Sequence, residues 1–420
     1  MNLERLNPVD LAVPLFFALM ALEIGLGRLK RRRYYRLNDT ISDLGTSLIF
    51  GLVGLGAVAL GLVAYESIRL NFSLAPLLGY EDATLDSPWY VWLLALIGVD
   101  FLYYWFHRAT HDVRLFWCFH VTHHSSEEFN LSVALRQCAF QRLLEYPFNF
   151  PLALLGVPWQ MFLICHGILK VYQFWVHTRW IGKLGPLEYV ILTPSHHRVH
   201  HGRDPLYLDR NHGGILIIWD RLFGTYVEEK EEPHYGLTKP LQTLNPLTAN
   251  LHAFQEIWSD FRRTSGLKNK LGVLFRKPGW RPPDLGGPLA LADVPASYQK
   301  YDPSISGASA YLLVQFLVTV AATLLVLRGV KQAFLPLPYA LLISVLVIYS
   351  LGSIGLMLDG RRSALFWEPA RYVLLGVVAL CLFSVGLMGQ AAALAAFSMV
   401  GAFWFMLLRN RLPLGPSLQS

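Results

Sequence analysis

Seven apolar stretches, each long enough to cross a bilayer as a helix of about 20 residues, dominate the chain: 8–27, 43–65, 89–106, 309–328, 335–357, 370–388 and 390–409. In hydrocarbon every backbone N–H and C=O must be bonded internally, so such runs commit the chain to helices. Only 15% of the 420 residues are charged, against roughly 25% in ordinary soluble proteins. The expected fold class is an all-α integral membrane protein, a multi-span helical bundle; a soluble enzyme is excluded. A net charge of +7 in so apolar a chain is expected to face lipid headgroups, and no nucleic acid is expected as partner. The four cysteines (Cys118, Cys138, Cys165, Cys381) form no CxxC pair, which excludes a disulfide scaffold or a thiolate metal site.

The opening MNLERLNPVD has no basic n-region and no small-residue cleavage site follows it, so the first run is expected to be a retained anchor. Arg28, Lys30, Arg31, Arg32, Arg33 and Arg36 follow it, and the positive-inside rule puts that loop in the cytoplasm. The loop 66–88 sets Arg69 against Glu66, Glu81, Asp82 and Asp86 and is expected outside. The third span then returns His107 to the cytoplasm. Arg361, Arg362, Arg371, Arg409 and Arg411 fall on the same inner side, with Arg328 and Lys331 as exceptions. Four regions follow: an anchor and basic loop (1–40), a catalytic region (41–235), a cytoplasmic segment ending in the linker RKPGWRPPDLGGP (236–305), and a four-span domain without a motif (306–420).

The stretch 146–169 is uncharged but carries Pro147, Pro151 and Pro158, and proline breaks helix interiors. It is either one kinked crossing or two short helices that enter and leave on one side.

Nine of the fourteen histidines cluster into boxes: HRATH with His107 and His111, HVTHH with His120, His123 and His124, and HHRVHH with His196, His197, His200 and His201, where one HxxxH and two HxxHH patterns use all but His196. Spacings of three and four put imidazoles on one helix face, and imidazole suits iron, zinc, copper and nickel. Eight box histidines are too many for one ion and about right for two. A two-metal, all-nitrogen site beside a membrane suits O₂ activation on iron with open positions; zinc, lacking redox chemistry, would mean hydrolysis or structure. The bland reading is a solvated, titrating surface, against which the repeated spacing argues. One centre needs every box on one side of the bilayer. The stretch 146–169 must therefore cross an even number of times, as a hairpin turning near Val157-Pro158, its irregular backbone buried in protein.

HxxxH, HxxHH and HxxHH in this order, interleaved with apolar spans, resemble the fatty acid hydroxylase and sterol desaturase superfamily of membrane di-iron oxygenases, over roughly residues 40–230. The segments 123–137, 173–203 and 209–226 are similar to those of members that open the ether bond of alkylglycerols. The resemblance implies a cytoplasmic histidine-rich cap over two Fe ions, held by His107, His111, His120, His123, His124, His197, His200 and His201. It adds His177, in QFWVHT, as a further ligand and leaves His196 as a ligand or a hydrogen-bond partner of one. It also implies tetrahydrobiopterin as external electron donor, with Arg136 and Gln137 as cofactor-binding candidates; their ordinary roles are headgroup contact or a structural hydrogen bond. His212 stands where the family pattern has an aromatic residue, as an extra ligand or a stacking replacement. His166, His234 and His252 read as structural or surface histidines.

Among the acidic residues, Asp100 lies seven residues before His107, on the same helix face, and is expected to orient a box histidine or pair with an arginine. Glu127, Glu128 and Glu145 are expected to orient imidazoles or to be structural. The cluster FLYYWFH (101–107) is either an acyl-chain lining or an interfacial belt. WDRLFGT (219–225) reads as a strand or turn packing the cap.

The expected activity is O₂-dependent hydroxylation of a membrane lipid with two external electrons. On an ether lipid, a hydroxyl placed beside the ether oxygen gives a hemiacetal that collapses to a fatty aldehyde and a free glycerol hydroxyl. On an acyl chain, sterol or headgroup the same reaction leaves a stable alcohol. A metal transporter needs polar residues in several spans, and the spans offer little beyond Asp100 and Glu23; a non-catalytic zinc-binding membrane protein is the other rival. Arginine outnumbers lysine 26 to 10, which points to a GC-rich bacterial genome and the inner membrane; in a eukaryote the endoplasmic reticulum is expected.

Overall fold

The computed structural model of the chain describes residues 8–305, 307–384, 386 and 388–412; the opening residues 1–7 of the expected anchor lie outside them. Helix α1 spans Pro8–Leu29, α2 Leu37–Phe72 and α3 Trp89–Asp112. Short helices follow: α4 (Arg114–Trp117), α5 (Val121–His124), α6 (Gln141–Phe148) and α7 (Phe150–Leu154). Then come α8 (Trp159–Trp175), α9 (Pro194–His200), α10 (Ile218–Leu222), α11 (Pro246–Arg263) and α12 (Leu267–Phe275). Four long helices end the described chain: α13 (Ser309–Lys331), α14 (Leu337–Leu358), α15 (Ala364–Ser384) and α16 (Met388–Leu408). Among the described residues there is no strand, only two single bridge pairs, Ile191 with Leu216 and Gly202 with Tyr235. Seven helices, α1–α3 and α13–α16, are long and apolar enough to cross a membrane; the protein is a multi-pass, all-helical membrane protein.

The chain divides into two compact units. One comprises the chain up to Tyr35, Val53–Leu241 and Leu251–Gln299. The other comprises Arg36–Leu52, Gln242–Asn250 and the chain from Lys300 onward.

In the first unit α8 packs against α1 and α3. Val99, Tyr103 and Phe106 of α3 share a buried cluster with Met161, Phe162, Cys165 and Leu169 of α8. The stretch 146–169 is broken as its prolines require: α7 stops at Leu154, Gly156 turns with φ +79°, and Pro158 caps α8 in an extended conformation. The freed backbone groups are met by protein. Tyr65 Oη donates to Val157 O at 3.0 Å, and the amides of Leu74 and Ala83 donate to Leu154 O and Gly156 O at 2.7 and 3.0 Å. A side chain at Gly156 would also strike Asp82, so glycine is required there both for conformation and for space.

In the second unit α15 carries a buried ionic cluster that the sequence did not announce. Glu368 and Arg371 pair inside the helix at 0% and 2% exposure, whereas the charge pattern placed Arg371 with the loop arginines. Tyr311, Gln315 and Ser353, from α13 and α14, complete the cluster.

Candidate metal centre

The last two turns of α3 carry His107 and His111, and α5 with its preceding residue carries His120, His123 and His124. His177 follows α8, and α9 with the residue after it carries His197, His200 and His201. All nine side chains are buried. They form two groups, each with its ligating atoms within 4.8 Å of one another: His107, His111, His120, His124 and His200; and His123, His177, His197 and His201. Boxes that flank the broken stretch 146–169 thus meet in one place.

The ring nitrogens show which way each imidazole is turned. A carbonyl oxygen only accepts, so a nitrogen bonded to it carries the proton. Nδ1 of His107 donates to His212 O (2.9 Å), Nδ1 of His123 to Arg136 O (2.9 Å), Nδ1 of His177 to Gln173 O (2.8 Å) and Nδ1 of His200 to Arg210 O (2.8 Å). Each Nε2 is left as a lone pair, and the Nε2 atoms point at one another: His107 to His120 at 3.0 Å, His200 to His124 at 3.1 Å, His123 to His177 at 3.2 Å and His197 to His177 at 2.9 Å. His123 and His177 have no proton to share between them. Facing lone pairs repel unless a cation lies among them, and nitrogens about 2.0–2.1 Å from one ion at right angles are roughly 3 Å apart. The donor set fits two metal ions.

Burial pushes His123 down to about 4 and holds His120, His124, His177, His197, His200 and His201 well below the usual imidazole range. They are neutral near pH 7, as metal ligation needs. Aromatic rings close the site: Phe129 stacks on His177 and on Tyr235, Trp117 lies beside His111 and His124, and Tyr103 is 5.2 Å from His107.

His196 is not among the nine. It is the third residue of α9 and completes a capping box with Thr193, whose amide donates to His196 Nδ1 at 3.3 Å; burial pushes it down to about 4. Arg136 is buried, its Nε donating to Thr122 O at 2.8 Å and to Ser125 Oγ at 3.1 Å. Its carbonyl orients His123, so a structural task occupies both ends of the residue. Gln137 Nε2 donates to Ala134 O at 3.1 Å and lies 3.4 Å from His123 Nδ1. His212 is buried beside His107, His111 and His200, with ring centres 5.6, 5.0 and 5.5 Å away. His166 pairs with Glu145, and His234, half exposed, pairs with Asp204.

The carboxylates act on backbone more than on imidazoles. Asp100 accepts from the amides of Ile215 and Leu216 and from Trp219 Nε1 at 2.5, 3.1 and 2.8 Å, and touches no box histidine. Glu145 holds His166 and Lys170; Glu127 accepts from Tyr298. Segment 219–225 is a short helix, α10, followed by a turn. Its Asp220 accepts from the amides of His212 and Gly213, both at 2.7 Å, and from Thr225 at 2.6 Å, which fixes the carbonyl that orients His107. Two further residues escaped the sequence reading as parts of the site. Asp209 accepts from His111 Nδ1 at 3.3 Å. Glu23, noted there only as a polar residue of the first span, binds Thr178 and the amide of Leu131 at 2.5 and 3.0 Å, tying the residue after His177 to the loop after α5. The signal for Glu23 was a carboxylate in the interior of an otherwise apolar span, away from its ends. The aromatic cluster packs on the cap, with Phe101 against Trp219 and Trp105 against Phe223.

The family model for fatty acid hydroxylase matches residues 92–225. The chain is 38% identical over 370 residues to alkylglycerol monooxygenase of Xenopus tropicalis, covering 87% of this chain and 80% of that protein. It is 39% identical to the Homo sapiens alkylglycerol monooxygenase over 370 residues, 86% and 80% of the two chains. A bacterial relative, ornithine lipid hydroxylase OlsE of Rhizobium tropici, is 30% identical over 155 residues, 36% of this chain and 47% of that one. No solved structure matches. The chain belongs to the fatty acid hydroxylase family, in the branch that holds the alkylglycerol monooxygenases.

Proposed function

We propose that this protein is a membrane-bound di-iron monooxygenase that hydroxylates alkylglycerols beside the ether oxygen, releasing a fatty aldehyde and a glycerol derivative. The observation that carries it is the pair of buried histidine groups with converging Nε2 lone pairs, in a chain similar along most of its length to alkylglycerol monooxygenases. His107, His111, His120, His124 and His200 would hold one ion and His123, His177, His197 and His201 the other. When bound, the iron pair supplies activation of O₂ and insertion of one oxygen atom into a C–H bond, with two electrons from an external donor, for which tetrahydrobiopterin is the proposal.

The chain's own residues keep the imidazoles neutral and turned inward. Phe129, Trp117 and Tyr103 exclude water from them, which protects a reactive centre from side reactions. The protein positions the C–H bond beside the ether oxygen. Collapse of the resulting hemiacetal needs no further group. The basic loop after α1 supports a cytoplasmic active site, and our reading puts the protein in the inner membrane of a bacterium or the endoplasmic reticulum of a eukaryote.

The test is metal per chain, by elemental analysis of detergent-purified protein from iron-supplemented cells, followed by turnover of an alkylglycerol with O₂ and a reduced pterin. Two irons and aldehyde release are expected. One zinc, or no metal, with no O₂ consumption would overturn the reading; an alcohol from an acyl or headgroup substrate in place of aldehyde would move the substrate to the OlsE type.

A further inference from the structure

We propose that the turn Asp209–His212 is the positioning element for one half of the centre, the five-histidine group, and that Asp209 is the positioning residue of His111. The proposal rests on the two-ion reading above. Four consecutive residues supply three acceptors to three different imidazoles: Asp209 Oδ1 to His111 Nδ1 at 3.3 Å, Arg210 O to His200 Nδ1 at 2.8 Å, and His212 O to His107 Nδ1 at 2.9 Å. Each acceptor fixes the proton on Nδ1 and so aims the Nε2 lone pair inward. For His111 that Nε2 is buried and has no hydrogen-bond partner among the described residues, so its lone pair is open to a metal ion.

The turn is built to hold this shape. Asp209 and Asn211 sit at φ +55° and +54°, the left-handed region that asparagine and aspartate tolerate best among side-chain-bearing residues. Asn211 is buried, and its amide group donates to His196 O at 3.1 Å and Val227 O at 2.8 Å while accepting from the amide of Val227 at 2.9 Å. Asp220 clamps the next two amides. The turn is thus fixed from both flanks, independently of the imidazoles it serves.

The four-histidine group has no such element. His123 uses the carbonyl of Arg136, and His177 uses Gln173 O, four residues back near the end of α8. Of the nine imidazoles, His111 is the one with a carboxylate on Nδ1, and a carboxylate there strengthens the imidazole as a donor to metal. The two ions are therefore held inequivalently, one oriented by a single rigid turn that carries a negative group.

The experiment is ⁵⁷Fe Mössbauer spectroscopy with iron stoichiometry on the full chain in detergent. Wild type is expected to bind two irons and show two distinguishable iron environments of equal area. Asp209→Asn should shift one environment and leave the other unchanged. Asp209→Ala should weaken iron at that one position about 10–100-fold, so that the chain retains one tightly held ion. Gln137→Ala, beside His123, is the counterpart expected to leave the Asp209-sensitive signal in place. Spectra unchanged in both Asp209 variants, or both environments shifting together, would overturn the proposal while two irons in wild type kept the oxygenase reading intact. A wild type without iron would sink that reading and the proposal with it.

Discussion

His123 and His177 face each other Nε2 to Nε2 at 3.2 Å, and each has committed its single ring N–H, on Nδ1, to a backbone carbonyl. No arrangement of their own protons makes that contact favourable. His177 also meets His197 at 2.9 Å, so its loss removes one donor of four and unpairs two others. In His177→Ala, bound iron is expected to fall from about two per chain to about one, and alkylglycerol turnover to stop. Elemental analysis with a parallel aldehyde assay checks it; two irons retained would show that His177 is dispensable to the centre.

The neutral histidines predict how the metal-free protein responds to acid. Their folded pKa lies below the unfolded value, His123 at about 4 against roughly 6.5. Between those values the unfolded chain binds more protons than the folded one, so stability rises with pH. This contribution is fully present above about pH 6.5 and is lost as pH falls toward 4. Chelator-treated protein should melt progressively lower across that window, and metal-loaded protein should release its metal there. A melting temperature that is flat from pH 7 to 4.5 would contradict the burial of these imidazoles.

Asp220 carries two amides that have no other acceptor among the described residues. In Asp220→Ala both are left buried and unsatisfied, at about 1–3 kcal/mol each, and the His212 carbonyl is free to leave His107. Thermal unfolding in detergent should fall by several degrees, and iron content in the folded fraction should drop. Asp220→Asn keeps one acceptor oxygen and should lie between the two.

The histidine boxes were legible because helical spacing and residue type together define the chemistry: HxxxH and HxxHH put imidazoles on one face wherever the helices go. The break in 146–169 was legible from Pro147, Pro151 and Pro158, and the meeting of the boxes on either side of it from the demand that one metal centre gather them all. Asp209, Asp220 and Asp100 were not legible as supports: Asp100 and Asp220 act on backbone amides and Asp209 on the His111 ring, and in each case closeness to α3 depends on a chain reversal of about a hundred residues. His196 shows the converse. It fits the histidine pattern as well as its neighbours, but its place in the first turn of α9 gives it a capping task, and a capping side chain points back along the helix. Arg371 was read with the loop arginines because charge counting ignores depth; its partner Glu368 cancels it inside α15.

That pair supplies the last prediction. Glu368 accepts from Arg371, Tyr311 and Ser353, and Arg371 also reaches Gln315 Oε1 at 2.8 Å. Both charges are out of water, so removing one leaves the other buried and uncompensated, at about 3–5 kcal/mol. Replacing both with apolar residues of similar volume removes the desolvation cost as well as the attraction. Glu368→Leu and Arg371→Met should each lower the unfolding temperature sharply, while the double variant should recover most of the loss. Iron content per folded chain should be unchanged in all three, because no histidine of either group lies in the unit that holds this pair. If the double variant were as unstable as the singles, the cluster would be contributing more than mutual neutralisation, and its hydrogen bonds to Tyr311 and Ser353 would have to carry the difference.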